Sequence, residues 1–247
     1  MGRLQDRVAV VTGGATGIGG ATCNMFAEEG AITVVVDYNQ AEGEKAVERI
    51  LAAGGRAEFH RLDVRSAEDT AQVFQHIGTT HGQIDVLVCS AGVLMGAFQG
   101  IEDLQEEAWD ATIDTNLKGT FLTTKFAAPW LRRAQRSVML LIASGAGVRG
   151  GSSSYAYAAS KAGMHGMQYN FASDLSTTRV HVICPGGIAT PLKLLNVAQG
   201  ATARGDDADA AVNQARKDLG DPVGVARILT FLASDDGDYV RGTIFTR

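Results

Sequence analysis

Cysteine, proline and long apolar runs are what this sequence has least of. The three cysteines, Cys23, Cys89 and Cys184, are odd in number, far apart and set in apolar or glycine-rich contexts. They offer no disulfide framework and read as reduced, mostly buried thiols. The five histidines (His60, His76, His81, His165 and His181) show neither an HExxH pattern nor Cys/His ligand spacing, so no metal site is assigned. No apolar run approaches the roughly 20 residues that cross a bilayer. The first residues lack the apolar stretch and cleavage site of a secretory signal, and Asp6 stands where a myristoylation signal at Gly2 needs Ser or Thr. A cytoplasmic protein without membrane partners is expected. With 22 basic and 27 acidic side chains, a net charge of −5 and no block of Lys or Arg, there is no electrostatic footprint for nucleic acid. Any phosphorylated ligand must therefore be held by local geometry.

Glycine, by contrast, is abundant. Thirty glycines against four prolines in 247 residues suit many tight strand-to-helix turns and one well-cored α/β domain spanning 1–247. Short apolar, β-branched runs at 8–11, 33–36, 86–88, 138–142 and 180–183, with a less apolar one at 57–60, read as strands. Their continuous apolarity is what parallel strands covered on both faces require. Amphipathic stretches at about 17–29, 40–53, 66–80, 104–131 and 155–176 read as the intervening helices. Repeated β-α-β units predict a doubly wound parallel sheet of the Rossmann type, whose ligands bind beyond the carboxyl ends of the strands. Ser66, Asp85 and Asp221-Pro222 read as boundary residues. The polar, alanine-rich segment 198–218 reads as mobile, placing a substrate flap at about 190–217.

After the first strand comes Thr12-Gly13-Gly14-Ala15-Thr16-Gly17-Ile18-Gly19, then a helix. Thr22 stands where the common G-x-G-x-x-G pattern has its last glycine, yet the physical requirement is the same. A turn without Cβ atoms lets backbone N–H groups and a helix N-terminus approach a pyrophosphate. A glycine turn that merely packs tightly would look alike. Asp37 shifts the balance, lying 18 residues after Gly19 at the end of the second strand, close to the ~20-residue spacing at which a carboxylate meets the adenosine ribose. Such a carboxylate repels a 2′-phosphate, and neither Thr16 nor Tyr38 brings a positive charge to offset it, so NAD is expected over NADP. The competing role for Asp37 is to cap the following helix.

Tyr157 and Lys161 are spaced i and i+4 on a predicted helix and share a face. An adjacent cation favours a phenolate, which makes Tyr157 a candidate general acid/base with a lowered pKa. Alone, such a pair is usually a solvated helix face. Together, Thr12-Gly-x-x-x-Gly-Ile-Gly19, Tyr157-x-x-x-Lys161 and Ser144 thirteen residues before Tyr157 resemble the short-chain dehydrogenase/reductase (SDR) family. Asp63-Val64 resembles its adenine-contacting pair, Ala91-Gly92 the end of its Asn-Asn-Ala-Gly segment, and Asn116 its catalytic asparagine. Pro185, Gly186, Ile188 and Thr190 match the loop over the nicotinamide, with Thr190 placed like the carboxamide-binding residue.

The resemblance implies an NAD(H)-dependent oxidoreductase interconverting a small secondary alcohol and a ketone, working as a homo-oligomer. Tyr157 would exchange a proton with the substrate oxygen, and Ser144 would hydrogen-bond that oxygen. Lys161 would hold the nicotinamide ribose and depress the Tyr157 pKa, while Asn116 would seat a water linking Lys161 to solvent. A non-catalytic NAD-binding sensor on the same fold is the alternative from another class. Three departures from the family stand out. Cys89-Ser90 replaces its paired asparagines, His181 stands where it commonly has Asn and is expected to be buried and hydrogen-bonded, and the sequence stops at Gly242–Arg247, short of the family's usual subunit-contacting tail. Leu94, Met95, Phe98, Leu192 and Leu195 are expected to form an apolar substrate wall, with Arg149 either meeting an acidic substrate group or simply solvated.

Overall fold

In the computed structural model, which describes residues 2–246, the chain builds one seven-stranded parallel sheet. The strands are β1 (Val8–Thr12), β2 (Ile32–Asp37), β3 (Arg56–Arg61), β4 (Val86–Cys89), β5 (Ser137–Ile142), β6 (Thr178–Cys184) and β7 (Gly242–Phe245), in the spatial order β3-β2-β1-β4-β5-β6-β7. Alternation along each strand divides its side chains between two cores. Val10, Val34, Leu87, Met139 and Val182 pack on one face with Phe74, Ile77, Trp130 and Met164. Val11, Val35, Val88, Leu140 and Ile183 pack on the other with Cys23, Phe26, Ile50 and Leu229. This is why the central strands, unlike β3 and β7 at the two edges, are mostly apolar throughout rather than at alternate positions.

The helices are α1 (Gly17–Glu28), α2 (Gln40–Ala52), α3 (Ala67–His81), α4 (Glu106–Ile113), α5 (Gly119–Leu131), the short α6 (Ala146–Arg149), α7 (Tyr155–Asp174), α8 (Pro191–Arg204), α9 (Ala208–Asp218) and α10 (Pro222–Ala233), with α1, α2, α3, α5, α7 and α10 packed on the faces of the sheet. Ser66 caps α3 and Asp221 caps α10, as their sequence positions suggested. Asp85 is buried and accepts a hydrogen bond from the Val8 N–H at 2.8 Å, tying the starts of β1 and β4. All three cysteines are free and buried.

Three expectations change. The stretch 104–131 is not one uninterrupted helix, because a π-helical turn at Asp114–Lys118 separates α4 from α5. The wider turn carries Asn116 inward to bond the Val93 backbone. The segment 198–218, which no helical reading covered, is helical: Thr190 and Asp207 cap α8 and α9, Gly205 ends α8 at a φ of +78°, and the two helices pack together. Its apolar contacts are made by alanines such as Ala201 and Ala215, whose small side chains hid the periodicity. Finally, His181 is buried as expected, but among the described residues neither ring nitrogen has a well-formed hydrogen bond.

That histidine should cost stability. Burial, with Arg179 and Arg241 nearby, pushes His181 down to about 4, and an approach to the Gly242 backbone does not offset this. An unfolded histidine takes up its proton near pH 6.5. The unfolded chain therefore binds more protons than the folded one between pH 6.5 and 4, and stability falls as the pH drops through that window. His181→Leu, which removes two unsatisfied nitrogens, is expected to raise the unfolding free energy at pH 7 by about 1–2 kcal/mol and to flatten the loss toward pH 4. Urea denaturation across that range measures both; an unchanged pH slope would contradict the assignment.

Candidate active site

At the carboxyl ends of the strands lies a cleft of about 770 Å3. The turn from β1 to α1 forms its floor. Gly13 and Gly17 take left-handed φ values of +66° and +57°. A Cβ on Gly13 would meet the Ala91 backbone at 2.7 Å, and one on Gly19 would stand 2.1 Å from the Gly13 carbonyl oxygen. Thr16 precedes α1 without a side-chain capping bond, so no side chain satisfies the first N–H groups of the helix. Gly13, Thr16, Gly17 and Ile18 line the cleft, whereas Gly19 is buried behind the turn and makes its close approach possible. These features fit the pyrophosphate of a dinucleotide.

Asp37 lines the cleft at the end of β2. Its two carboxylate oxygens accept from the Ala15 N–H at 3.1 Å and the Asn39 N–H at 3.0 Å. Capping of α2 belongs to Asn39, which accepts from the Glu42 N–H at 3.2 Å. Asp37 is thus oriented by backbone donors, and each oxygen keeps a lone pair for a ligand hydroxyl. Asp63 and Val64 also line the cleft, with the Asp63 carboxylate gripped by Arg65 through bonds of 2.6–3.0 Å. The Arg65 guanidinium holds the Asp63 carboxyl below its usual range. Ala91, Gly92, Pro185, Gly186, Ile188 and Thr190 complete this half. Where the family has paired asparagines, Cys89 stays in the β4 ladder opposite Thr12, and Ser90 donates its N–H to the Thr12 carbonyl at 3.1 Å, so the strand-end connection survives.

The other half gathers Ser144, Tyr157 and Lys161. Of the three serines before α7, Ser154 is the cap, its Oγ accepting from the Tyr157 N–H at 3.3 Å while donating to the Met95 carbonyl at 2.7 Å. Ser144 Oγ accepts from the Ala146 N–H at 3.2 Å, which leaves its proton free to donate. Lys161 is buried; its Nζ donates to the Ile142 carbonyl at 2.7 Å and lies 5.6 Å from the centre of the Tyr157 ring. Burial pushes Lys161 down to about 8. Tyr157 departs from expectation: burial raises its phenol, and Ser144 draws it only partly back. The enclosure that brings the ammonium beside the ring also strips water from the phenolate, and the second effect is the larger here.

Asn116 stands behind the cleft wall. Its Oδ1 accepts from the Val93 N–H at 2.8 Å, and its Nδ2 donates to the Val93 carbonyl at 2.9 Å and Ser160 Oγ at 3.0 Å. Leu94, Met95 and Leu192 line the cleft as expected; Phe98 and Leu195 do not. Leu195 faces outward on α8, and the Phe98 ring lies against Gly200. Arg149 meets neither solvent alone nor the cleft, since its guanidinium stacks 4.2 Å from the centre of the Phe245 ring.

Known proteins are similar to this chain in sequence and fold. Residues 7–200 match the family described as short chain dehydrogenase. The chain belongs to that family. It is 33% identical over 246 residues to the 3-oxoacyl-(acyl-carrier-protein) reductase of Thermotoga maritima, covering 98% of this chain and 96% of that one. It is 32% identical to a cyclopentanol dehydrogenase of Comamonas, again with 98% and 96% covered. The crystal structure of levodione reductase superposes with a TM-score of 0.89 at 26% identity, covering 98% and 96% of the two chains. This SDR chain is therefore an oxidoreductase of alcohol and carbonyl groups with a Rossmann fold, and its family uses nicotinamide cofactors. Sequence reading missed Ser153 and Arg65 as lining residues and did not single out Asn196 within the segment expected to line the cleft; Ser153 and Asn196 meet only because α8 folds over the loop before α7.

The close approach of Gly19 to Gly13 makes a direct test. Gly19→Ala should weaken NADH binding at least tenfold in a fluorescence titration, because the turn must open to admit the methyl group. Gly224→Ala, on α10 with no atom within 4 Å of the added carbon, should leave binding unchanged. Equal affinities for the two variants would show that the turn does not hold the cofactor.

Proposed function

We propose that this SDR enzyme is NAD(H)-dependent and interconverts a small secondary alcohol and its ketone, with Tyr157 as the general acid/base. The observation that carries the reading is the meeting, in one cleft, of Tyr157, Lys161 and Ser144 with a glycine turn and the Asp37 carboxylate. NAD, when bound, supplies the hydride acceptor or donor. The protein binds, orients and moves the proton. Thr16, Gly17 and Ile18 offer the pyrophosphate backbone N–H groups at the start of α1, and Asp37 accepts from the adenosine ribose hydroxyls. Asp63, Val64, Ala91 and Gly92 enclose the adenine side; Pro185, Gly186, Ile188 and Thr190 enclose the nicotinamide side.

In reduction, Tyr157 gives its proton to the substrate carbonyl oxygen; in oxidation it takes the proton from the hydroxyl. Ser144, whose own oxygen is already held by the Ala146 N–H, donates to that same oxygen as charge develops on it. Lys161 spends one of its three protons on the Ile142 carbonyl and keeps two for the nicotinamide ribose hydroxyls. Its positive charge, 5.6 Å from the centre of the Tyr157 ring, would lower the cost of forming the phenolate when the cleft is filled by cofactor. Asn116 fixes Val93 and Ser160 against each other and seats the water through which Lys161 exchanges protons with solvent. Val93, Leu94, Met95, Ala146 and Leu192 give the substrate an apolar wall, in keeping with the cyclopentanol named for one relative.

Two measurements test this reading. Tyr157→Phe should retain NADH affinity while lowering kcat by about 10²–10⁴-fold on any secondary alcohol the wild type oxidises; near-native turnover would remove Tyr157 from the mechanism. Steady-state kinetics with both cofactors should show wild-type preference for NAD, and Asp37→Ala should narrow that preference by roughly ten- to a hundredfold as the repulsion of the 2′-phosphate is lifted. A wild-type enzyme that already prefers NADPH would overturn the charge argument.

A further inference from the structure

Ser152, Ser153 and Ser154 precede α7, and two of them are consumed locally. Ser152 Oγ donates to the Ser154 carbonyl at 2.9 Å and accepts from the Ser154 N–H at 3.1 Å, and Ser154 caps the helix. Ser153 alone turns to α8, where its Oγ accepts from Asn196 Nδ2 at 2.8 Å. Both residues line the cleft. Asn196 is only 8% exposed, and among the described residues no donor reaches its Oδ1; nor does the Ser153 hydroxyl proton have an acceptor. A buried amide oxygen and a hydroxyl proton left unused in a cleft that Leu94, Met95 and Leu192 also line are poorly matched to a purely apolar ligand.

The pair is also held rigid from outside. The Phe98 N–H donates to the Ser153 carbonyl at 2.8 Å, and Ser154 Oγ donates to the Met95 carbonyl, so the 93–98 loop is tied to the loop before α7 at two points. Phe98 takes a φ of +61°, a rare conformation for a bulky side chain, and its ring packs where a Cβ on Gly200 would stand 2.7 Å away. This locks α8 down, so Asn196 is positioned before any ligand arrives.

We infer that Asn196 and Ser153 form a specificity subsite that recognises a second oxygen on the substrate, remote from the reacting carbon, so that the preferred substrates are apolar ketones or alcohols carrying a further hydroxyl or carbonyl group. The inference rests on the reading of the cleft as an alcohol/ketone site. Asn196 Oδ1 accepts from a second hydroxyl, and the Ser153 hydroxyl, aimed by the bond its oxygen accepts from Asn196 Nδ2, donates to a second carbonyl, so loss of either side chain weakens the hold on a second carbonyl. The apolar wall accommodates the carbon skeleton between that oxygen and the one facing Tyr157.

The test compares cyclohexanone with cyclohexane-1,4-dione, using NADH-dependent reduction by wild type, Asn196→Leu and Ser153→Ala. The dione is intrinsically more reactive, so the deciding quantity is how its kcat/KM relative to cyclohexanone changes between wild type and variants. Asn196→Leu is expected to lower that ratio about tenfold through the KM for the dione, with cyclohexanone unaffected within twofold. Ser153→Ala should act in the same direction and serves if the leucine variant fails to fold. A parallel loss on both rings would mean that the pair only clasps α8, and would overturn the proposal; so would an unchanged ratio. Should neither ring be turned over, calorimetric titration of both into the NADH-bound protein decides. Tighter binding of the dione, lost in Asn196→Leu, upholds the subsite while refuting the reaction assigned to the cleft; equal or absent binding of the two rings overturns the subsite.

Discussion

The chain leaves β1 and β4, neighbours in the sheet, on opposite faces, and the rest of the site follows from that divergence. α1 packs with Cys23 and Phe26 against one core, whereas α5 packs with Trp130 and Leu131 against the other. Two loops that start side by side, at Thr12 and Cys89, must then separate. The crevice they leave is where a parallel sheet of this strand order binds ligands. Its floor has no room for side chains, as the fit of Gly13 against the Ala91 backbone shows.

Burial governs the chemistry of the crevice. Lys161 sits on the Ile142 carbonyl at the end of β5, out of water, and its ammonium is pushed down to about 8. The same enclosure raises Tyr157 when the protein stands alone. An i, i+4 pair on a solvated helix would show neither effect. Desolvation makes both groups responsive to whatever next enters the cleft, because each charge is then poorly screened and each new hydrogen bond counts for more. Asp37 shows the complementary case: two backbone N–H groups orient a carboxylate that remains open to the cleft.

The substrate side is built differently. There the chain relies on loops and α8 rather than on strand ends, and it fastens them by the Asn196–Ser153, Ser154–Met95 and Phe98–Gly200 contacts. Such ties bind a polar, alanine-rich stretch into the wall of the cleft. They are contacts between segments about 40 to 100 residues apart, so no local pattern announces them.

What is local in its physics was legible in the sequence. Apolar β-branched runs had to be buried strands, glycines at 13, 17 and 19 had to make a turn without side chains, and Tyr157 and Lys161 had to share a helix face, because periodicity and steric freedom are properties of neighbouring residues. What depends on the surroundings of a group emerged only in three dimensions. His181 proved buried without a well-formed bond among the described residues, the 104–131 helix opened into a π-turn to let Asn116 reach Val93, the stretch 198–218 folded into parts of α8 and α9, and Tyr157 shifted upward rather than down. Each of these is set by which distant atoms supply, or fail to supply, a hydrogen bond or a low-dielectric contact, and that information exists only once the sheet has closed over its two cores.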